Sequence, residues 1–162
     1  VAGLFMFPGA LIGAALAPIS GKVLDQIGAR KPITTGLILA ALGLALLFVF
    51  LPTKSLALLL VAHIVLMLGL GISYSNLMTC SLSTLATDQL SDGNALVNTL
   101  QQFIGAVATA VVATTLSIFQ GLNGFKVGTS HGTSIILALF FILIIVSLIV
   151  SFPNLKKIRA NH

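Results

Sequence analysis

The chain has 162 residues, of which 57% are hydrophobic and only 7% are charged, and its mean hydropathy is +1.15. A water-soluble globular domain carries about 25% charged residues, so this composition excludes one and makes the lipid bilayer the expected solvent and partner. The net charge of +5 comes from sparse basic residues between apolar runs, so nucleic acid is not an expected partner. The single cysteine, Cys80, excludes an internal disulfide.

The beginning of the chain does not look like a secretory signal. The first residue is Val1, and no basic segment with a cleavage site precedes the first apolar run. We therefore expect the chain to be a fragment of a longer protein, beginning within or just before a membrane span.

Five apolar segments without Lys, Arg, Asp or Glu are long enough to cross a membrane. About 20 residues of α-helix, at a rise of about 1.5 Å each, match the roughly 30 Å of the hydrocarbon core. Helices satisfy their own backbone hydrogen bonds in lipid, and continuous apolar runs are not typical of barrel strands. The sequence predicts an all-α transmembrane region over residues 1–152 and a tail at 153–162. The predicted spans are residues 1–20, 33–51, 56–79, 94–119 and 133–152.

The basic residues predict the orientation of the spans. Six of the eight Lys and Arg residues lie in the joint after the first span or in the tail, and with five spans these two segments share one side of the membrane. Because cytoplasmic segments carry an excess of Lys and Arg, we expect a cytoplasmic C-terminus. The expected localisation is the plasma membrane, with several passes.

Three of the five spans, the first, second and fifth, carry few polar side chains. The second and fifth spans are apolar all round, which is typical of helices that contact lipid or form a supporting layer. The first span carries small residues at every fourth position, a pattern that favours close helix packing. These residues are Gly9, Gly13, Ala17 and Gly21.

The joint after the first span combines glycines with opposite charges. Gly21 and Gly28 permit a tight turn between antiparallel helices. Asp25 and Arg30 are close enough in sequence to pair, or to bind the ends of neighbouring helices. Lys31 follows at once. The alternative is a plain turn whose charges only fix orientation.

The third span carries a face of soft and aromatic side chains. Because helical residues advance by about 100°, four of them fall within roughly 60°. Thioethers and aromatic rings repack around apolar ligands of different shapes, so this face is a candidate substrate surface, although it could equally be a core stripe. Histidine changes charge near neutral pH, so His63 could take part in proton coupling or stay neutral and hydrogen-bonded. The face comprises His63, Met67, Tyr74 and Met78.

The fourth span carries three amides on one face, where they cannot prefer lipid. They either hydrogen-bond neighbouring helices, at about 1 kcal/mol or less each, or line a water-filled cavity. We expect the cavity, and therefore a substrate path. This amide stripe comprises Asn94, Asn98, Gln101, Gly105 and Thr109, with Gln102 beside it.

Two segments resemble a known family. The run Gly-x-x-x-Asp-x-x-Gly-x-Arg-Lys at residues 21–31 resembles the cytoplasmic loop signature of the major facilitator superfamily, although Gln26 and Ala29 stand where that family often has basic residues. Residues 93–105, Gly-Asn-Ala-Leu-Val-Asn-Thr-Leu-Gln-Gln-Phe-Ile-Gly, resemble the penultimate core helix of the drug:proton antiporters with fourteen spans. The two matches occur in the family's order and cover most of the chain.

The resemblance implies the last five spans of a multidrug exporter, within its C-terminal six-helix bundle. It implies that the first, third and fourth spans line the path, and that Asp25 and Arg30 help to hold the cytoplasmic side closed during alternating access. Small apolar or cationic drug-like compounds are the implied substrates, and the proton gradient is the implied energy source in place of a cofactor. The acidic residues for coupling would lie in a missing N-terminal half, so we expect this chain alone not to transport.

Other function classes fit less well. A sugar or metabolite transporter is the main alternative, because an amide-rich span suits a polyol. A channel or structural subunit is a further one. An intramembrane enzyme or metal site is not expected, because no carboxylate lies inside a predicted span and His63 is the only histidine inside one.

Overall fold

The computed structural model describes residues 7, 8, 11 and 30–160 of the chain. The first predicted span and most of the joint after it therefore lie outside the described residues. Short 3₁₀ turns at Leu51–Thr53 and Thr87–Gln89 connect consecutive helices. The four long helices are α1 (Arg30–Phe50), α2 (Leu56–Leu82), α3 (Leu90–Asn123) and α4 (Phe125–Ala160).

Each long helix has the length and composition needed to cross a membrane. No residue between 30 and 160 lies in a strand, so the all-helical prediction is confirmed for that part of the chain. The count of five spans is not confirmed, because four are found among the described residues. They are Lys31–Thr53, Leu56–Leu82, Thr87–Asn123 and Phe125–Ser151.

The connection between the last two helices is much shorter than the sequence suggested. We predicted a joint at residues 120–132, but α3 continues to Asn123 and α4 begins at Phe125. Gly124 separates them with φ of 75° and ψ of 163°, a conformation that glycine adopts without the steric cost of a side chain. The difference arises because hydropathy indicates only which residues suit the hydrocarbon core. A helix can continue through polar residues until a residue such as Gly124 adopts a non-helical conformation.

The chain divides into two compact units. Unit 1 comprises Val1–Cys80 and Phe140–His162, so it contains α1, most of α2 and the C-terminal part of α4. Unit 2 is the segment Ser81–Leu139, which contains α3 and the N-terminal part of α4.

In unit 1, α1 and α2 pack with their backbones in contact. A Cβ atom built on Gly36 would lie 2.8 Å from the carbonyl oxygen of Gly69, and one built on Gly43 would lie 2.6 Å from the Cα of Leu66. The contacts run in opposite directions along the two helices, so the pair is antiparallel. The α2 side of this α1–α2 seam is formed by the buried residues Ala62, Leu66, Gly69, Ser73 and Asn76.

A buried hydrogen bond reinforces the seam. The Ser73 hydroxyl donates to the backbone carbonyl of Ile33 over 3.1 Å, and Ile33 is only 1% exposed. Inside a membrane such interhelical bonds add about 0.6–2 kcal/mol. The bond therefore adds to the close packing that the small residues allow.

In unit 2, α3 and α4 form a helical hairpin around Gly124. A Cβ on Gly128 would lie 2.5 Å from the Cα of Gln120, which shows that the helices approach closely beside the turn. The side-chain amide of Gln120 donates to the hydroxyl of Thr129 over 2.8 Å. This bond connects the two arms of the hairpin.

We expect Gln120→Leu to destabilise the hairpin by about 0.6–2 kcal/mol, the range for interhelical hydrogen bonds in membrane proteins. Thermal unfolding in detergent measures the loss. Thr129→Val should cost a similar amount, and the double variant should cost no more than either single change, because both remove the same bond. Additive losses would contradict this role of the bond.

Candidate functional site

The amide stripe lies on an exposed face of α3. No residue of α3 is buried along its 34 residues, all of which are described. Asn94, Asn98, Gln101, Gln102 and Thr109 are all exposed, as a substrate-facing surface requires. The stripe therefore lies on the surface of unit 2.

Within the stripe, the structure brings Asn94 and Asn98 together. The Asn98 side-chain nitrogen donates to the backbone carbonyl of Asn94 over 2.9 Å and to its side-chain oxygen over 3.1 Å. One turn of helix thus fixes two amides side by side before any ligand arrives. Amides both donate and accept hydrogen bonds, so the pair can bind hydroxyl, amine or ammonium groups.

The hydroxyls of α3 bond instead to their own helix. Thr109 donates to the carbonyl of Gly105 over 2.8 Å, and Thr99 donates to that of Ala95 over 2.8 Å. This local bonding lowers the cost of placing a hydroxyl in an apolar medium. The amides are consequently the groups of the stripe with most capacity for a ligand.

The predicted face of α2 lies beside the α1–α2 seam. His63 follows the buried Ala62, and Tyr74 follows the buried Ser73, so the face is turned by about 100° from the seam. Tyr74 is 45% exposed, while His63, Met67 and Met78 are half-buried. The face is therefore accessible in unit 1. It belongs to unit 1, whereas the amide stripe of α3 belongs to unit 2.

Unit 1 contains an open cavity of about 510 Å³. Met67 lines it, so one residue of the predicted path contributes to a real concavity. Its other lining residues are apolar apart from one serine. They are Leu37 and Leu44 of α1, Leu66 and Leu70 of α2, and Phe140, Leu143, Ile144 and Ser147 of α4.

Sequence reasoning missed this cavity, which we call the unit 1 cavity. The second and fifth spans were predicted to contact lipid or form a supporting layer, and both contribute side chains to the lining. The sequence of an apolar helix does not predict which of its faces packs against a helix that is distant in the chain. Periodicity alone could not have paired Leu37 with Phe140.

Polar residues near the end of α2 behave in two ways. Two of them bond to carbonyls of their own helix: Asn76 donates to Ile72 over 2.7 Å and Thr79 donates to Ser75 over 3.0 Å. Ser73 differs, because its hydroxyl crosses to α1. Its role in packing was not visible in the sequence.

The loop motif is only partly described. Gly21, Asp25 and Gly28 lie outside the described residues, Arg30 begins α1, and Lys31 is exposed. The closing of the cytoplasmic side by this motif remains a prediction. Among the described residues, no group of three or more His, Cys, Asp or Glu side chains could hold a metal ion.

Comparisons with known proteins place these features in context. The family model described as Major Facilitator Superfamily matches residues 1–110. The chain is 34% identical to "Lincomycin resistance protein LmrB" of Listeria innocua over 119 residues, which are 74% of this chain and 25% of that protein. It is 32% identical to "Multidrug resistance protein B homolog" of Mycobacterium tuberculosis over 119 residues, or 71% of this chain and 22% of that protein.

A longer match covers nearly the whole chain. The chain is 26% identical to "Uncharacterized MFS-type transporter YcnB" of Bacillus subtilis over 158 residues, which are 96% of this chain and 33% of that protein. The chain thus spans about a quarter to a third of the length of these curated relatives. No solved structure matches it.

Proposed function

Because the chain belongs to the Major Facilitator Superfamily, we propose that it forms part of the C-terminal helical bundle of a drug exporter. The names of two relatives, for lincomycin resistance and multidrug resistance, support export of drug-like compounds. The resemblance of residues 93–105 to drug:proton antiporters of fourteen spans supports the same assignment. The substrates we propose are small apolar or cationic compounds, moved by alternating access.

The exposed amide stripe of α3 carries this proposal. Three amides on one face of a membrane helix are unfavourable against lipid, and α3 itself buries none of its residues. We propose that in the complete transporter this face lines the substrate path. The fixed pair Asn94 and Asn98 then supplies polar contacts. We propose separately that the α2 face with Tyr74 and Met67 contacts substrate through apolar groups.

Substrate protection of cysteines tests the path. In the complete transporter with Cys80→Ala, we expect substrate to slow maleimide labelling of Asn98→Cys and Gln101→Cys. At about ten times Kd the slowing should be about tenfold, because roughly nine sites in ten are occupied. Phe103→Cys is the matched control, because Phe103 is exposed on the opposite face of α3 at similar depth. Its labelling should not depend on substrate.

The outcomes separate the alternatives. Equal labelling with and without substrate at both test positions would mean that the amides hold helices together. Protection by sugars, and not by dyes or lipophilic cations, would favour a sugar or metabolite transporter. Conductance that does not saturate with substrate would favour a channel.

We propose that the energy comes from the proton gradient and that the coupling acids lie in the rest of the transporter. The three acidic residues of this chain, Asp25, Asp88 and Asp92, all lie outside the predicted spans. We propose that His63, inside α2, exchanges protons during coupling, because an imidazole ring can both accept and donate a proton.

We propose a plasma-membrane protein with a cytoplasmic C-terminus, following the basic residues Lys156, Lys157 and Arg159 of the tail. In intact cells, an impermeant maleimide should label Asn123→Cys, beside the α3–α4 turn, and spare Ala160→Cys until the membrane is permeabilised. Labelling of Ala160→Cys in intact cells would reverse the orientation.

A further inference from the structure

We propose that Asn98 selects transported compounds that present an N–H donor on a cationic nitrogen. This role makes Asn98 a specificity-determining residue of the substrate path. The inference rests on the proposed function, since only a stripe that lines the path meets substrate. It goes further than that function because it names the atom that distinguishes one cation from another, the side-chain oxygen of Asn98.

The backbone carbonyl of Asn94 fixes which way round the Asn98 amide lies. One end of that amide lies 2.9 Å from the carbonyl oxygen. A backbone carbonyl only accepts hydrogen bonds, so the nitrogen of the amide faces it and the amide oxygen lies at the other end of the group. Reversing the amide would place two oxygens against each other. The helix backbone therefore sets the orientation of this side chain before a ligand binds.

Both donors of the Asn98 amide are already used. A primary amide nitrogen carries two N–H donors, and that of Asn98 donates to the Asn94 carbonyl and, over 3.1 Å, to the Asn94 side-chain oxygen. The Asn98 oxygen accepts no hydrogen bond from the part of the chain that the structure describes, and the residue is exposed. A ligand at Asn98 therefore meets an acceptor and no spare donor.

The neighbouring amide of Asn94 does not impose the same choice. Its oxygen accepts one bond from Asn98 and keeps a second lone pair, while its nitrogen can still donate. Asn94 can consequently bind ligand groups that donate and ligand groups that accept. The discrimination between the two kinds of ligand group must then come from Asn98.

The charges on the same helix favour a cation. No Lys or Arg occurs between Ser81 and Phe125, whereas Asp92 lies in the first turn of α3. It precedes Asn98 by six residues, or about 9 Å along the helix axis. Its carboxylate attracts every cation, with or without an N–H group. The hydrogen bond to the Asn98 oxygen supplies the distinction, because only an N–H group can donate it.

Two cations that differ by one methyl group test this role. N,N-dimethyl-naphthylmethylamine is protonated at neutral pH and carries one N–H group, whereas naphthylmethyl-trimethylammonium has the same charge and none. Fluorescence titration of the complete, purified transporter measures the Kd of each. The N–H group also changes the hydration of the free cation, so the ratio of the two Kd values is compared between the wild type and its variants.

Asn98→Ala and Asn98→Leu both remove the acceptor. We expect each to weaken binding of the protonated amine about tenfold, as the loss of a hydrogen bond to a charged group does. Binding of the quaternary cation should change by less than about twofold, since it makes no such bond. Alanine is the best helix former and leucine keeps a branched side chain, so the pair guards against misfolding of either variant.

Thr99→Val is the matched control. The Thr99 hydroxyl also donates one turn back, to the carbonyl of Ala95, but it lies about 100° around the helix from Asn98. Its removal should leave the ratio of the two Kd values unchanged. A similar change of the ratio in Thr99→Val would overturn the inference, because a general effect on the helix would then explain it.

The remaining outcomes separate this inference from the function on which it rests. An equal loss of affinity for both cations in folded Asn98 variants would overturn the inference, since the amide would then act through packing. An unchanged ratio in both variants would overturn it as well, and export of the two cations would leave the proposed function intact. Failure of the wild type to bind or export either cation would refute the proposed function, and the role of Asn98 would fall with it.

Discussion

Gly69→Ala lowers the free energy of unfolding of the complete transporter by about 1–3 kcal/mol, the usual cost of overpacking a tight interface. The added methyl carbon would lie 2.7 Å from the Cα of Ala40 and 2.7 Å from the carbonyl oxygen of Gly36. Both are backbone atoms of α1, so no side-chain rotation relieves the clash. The helices must move apart, and the contacts along the α1–α2 seam weaken together.

Gly121→Ala is the matched control for this experiment. It adds the same methyl group to a helical glycine, but nothing lies within 4 Å of the added atom. Helix propensity then favours alanine by up to about 1 kcal/mol, so this variant should be neutral or slightly more stable. Thermal unfolding in one detergent compares the two. Equal behaviour would show that α1 and α2 do not pack through backbone contact.

The helices themselves were accessible from sequence, because an uncharged apolar run of about 20 residues has few stable alternatives in lipid. The limits of α1 and α2 follow from Lys31, Lys54 and the polar residues near Thr79. The extension of α3 and α4 did not follow, since hydropathy did not show that the helices continue through polar residues such as Gln120 and Thr129, which bond to each other. The pair Asn123-Gly124 was the available signal, because Gly commonly ends a helix.

The seam between α1 and α2 also had a sequence signal. Gly36, Ala40 and Gly43 recur at helical spacing in the second predicted span, a pattern typical of close packing. The prediction weighed the apolar composition of this span and assigned it to lipid contact or support. One side of the helix is in fact occupied by α2, because small residues there allow contact that lipid chains cannot equal.

The candidate site was predictable only within single helices. Periodicity correctly groups Asn94 with Asn98, since their contact is local to one turn. It also groups Met67 with His63, but Met67 shares the unit 1 cavity with leucines from two other helices. Contacts between helices depend on tertiary packing. A polar face on one helix therefore predicts that its side chains have hydrogen-bond partners, but not which residues those partners are.

Asp25→Asn should lower turnover of the complete transporter about 10–100-fold while leaving insertion and abundance unchanged. A charged hydrogen bond contributes about 1.5–3 kcal/mol, and each 1.36 kcal/mol corresponds to about tenfold in rate. We propose that Asp25 uses such a bond, with Arg30 as its partner, to stabilise the state that is closed to the cytoplasm. Asparagine keeps the shape of the side chain but removes its charge, so it isolates the electrostatic contribution.

Asp88→Asn is the control for the same chemical change. Asp88 is exposed in the turn before α3, on the side of the membrane predicted to be cytoplasmic. Its replacement should alter turnover less than about fivefold, because exposed charges contribute about 1 kcal/mol or less. Exchanging the charges in Asp25→Arg with Arg30→Asp should restore part of the lost activity if the two residues pair. Normal efflux by Asp25→Asn would remove the closing role, whereas loss without rescue by the exchange would mean that Asp25 binds a different partner, such as the end of a neighbouring helix.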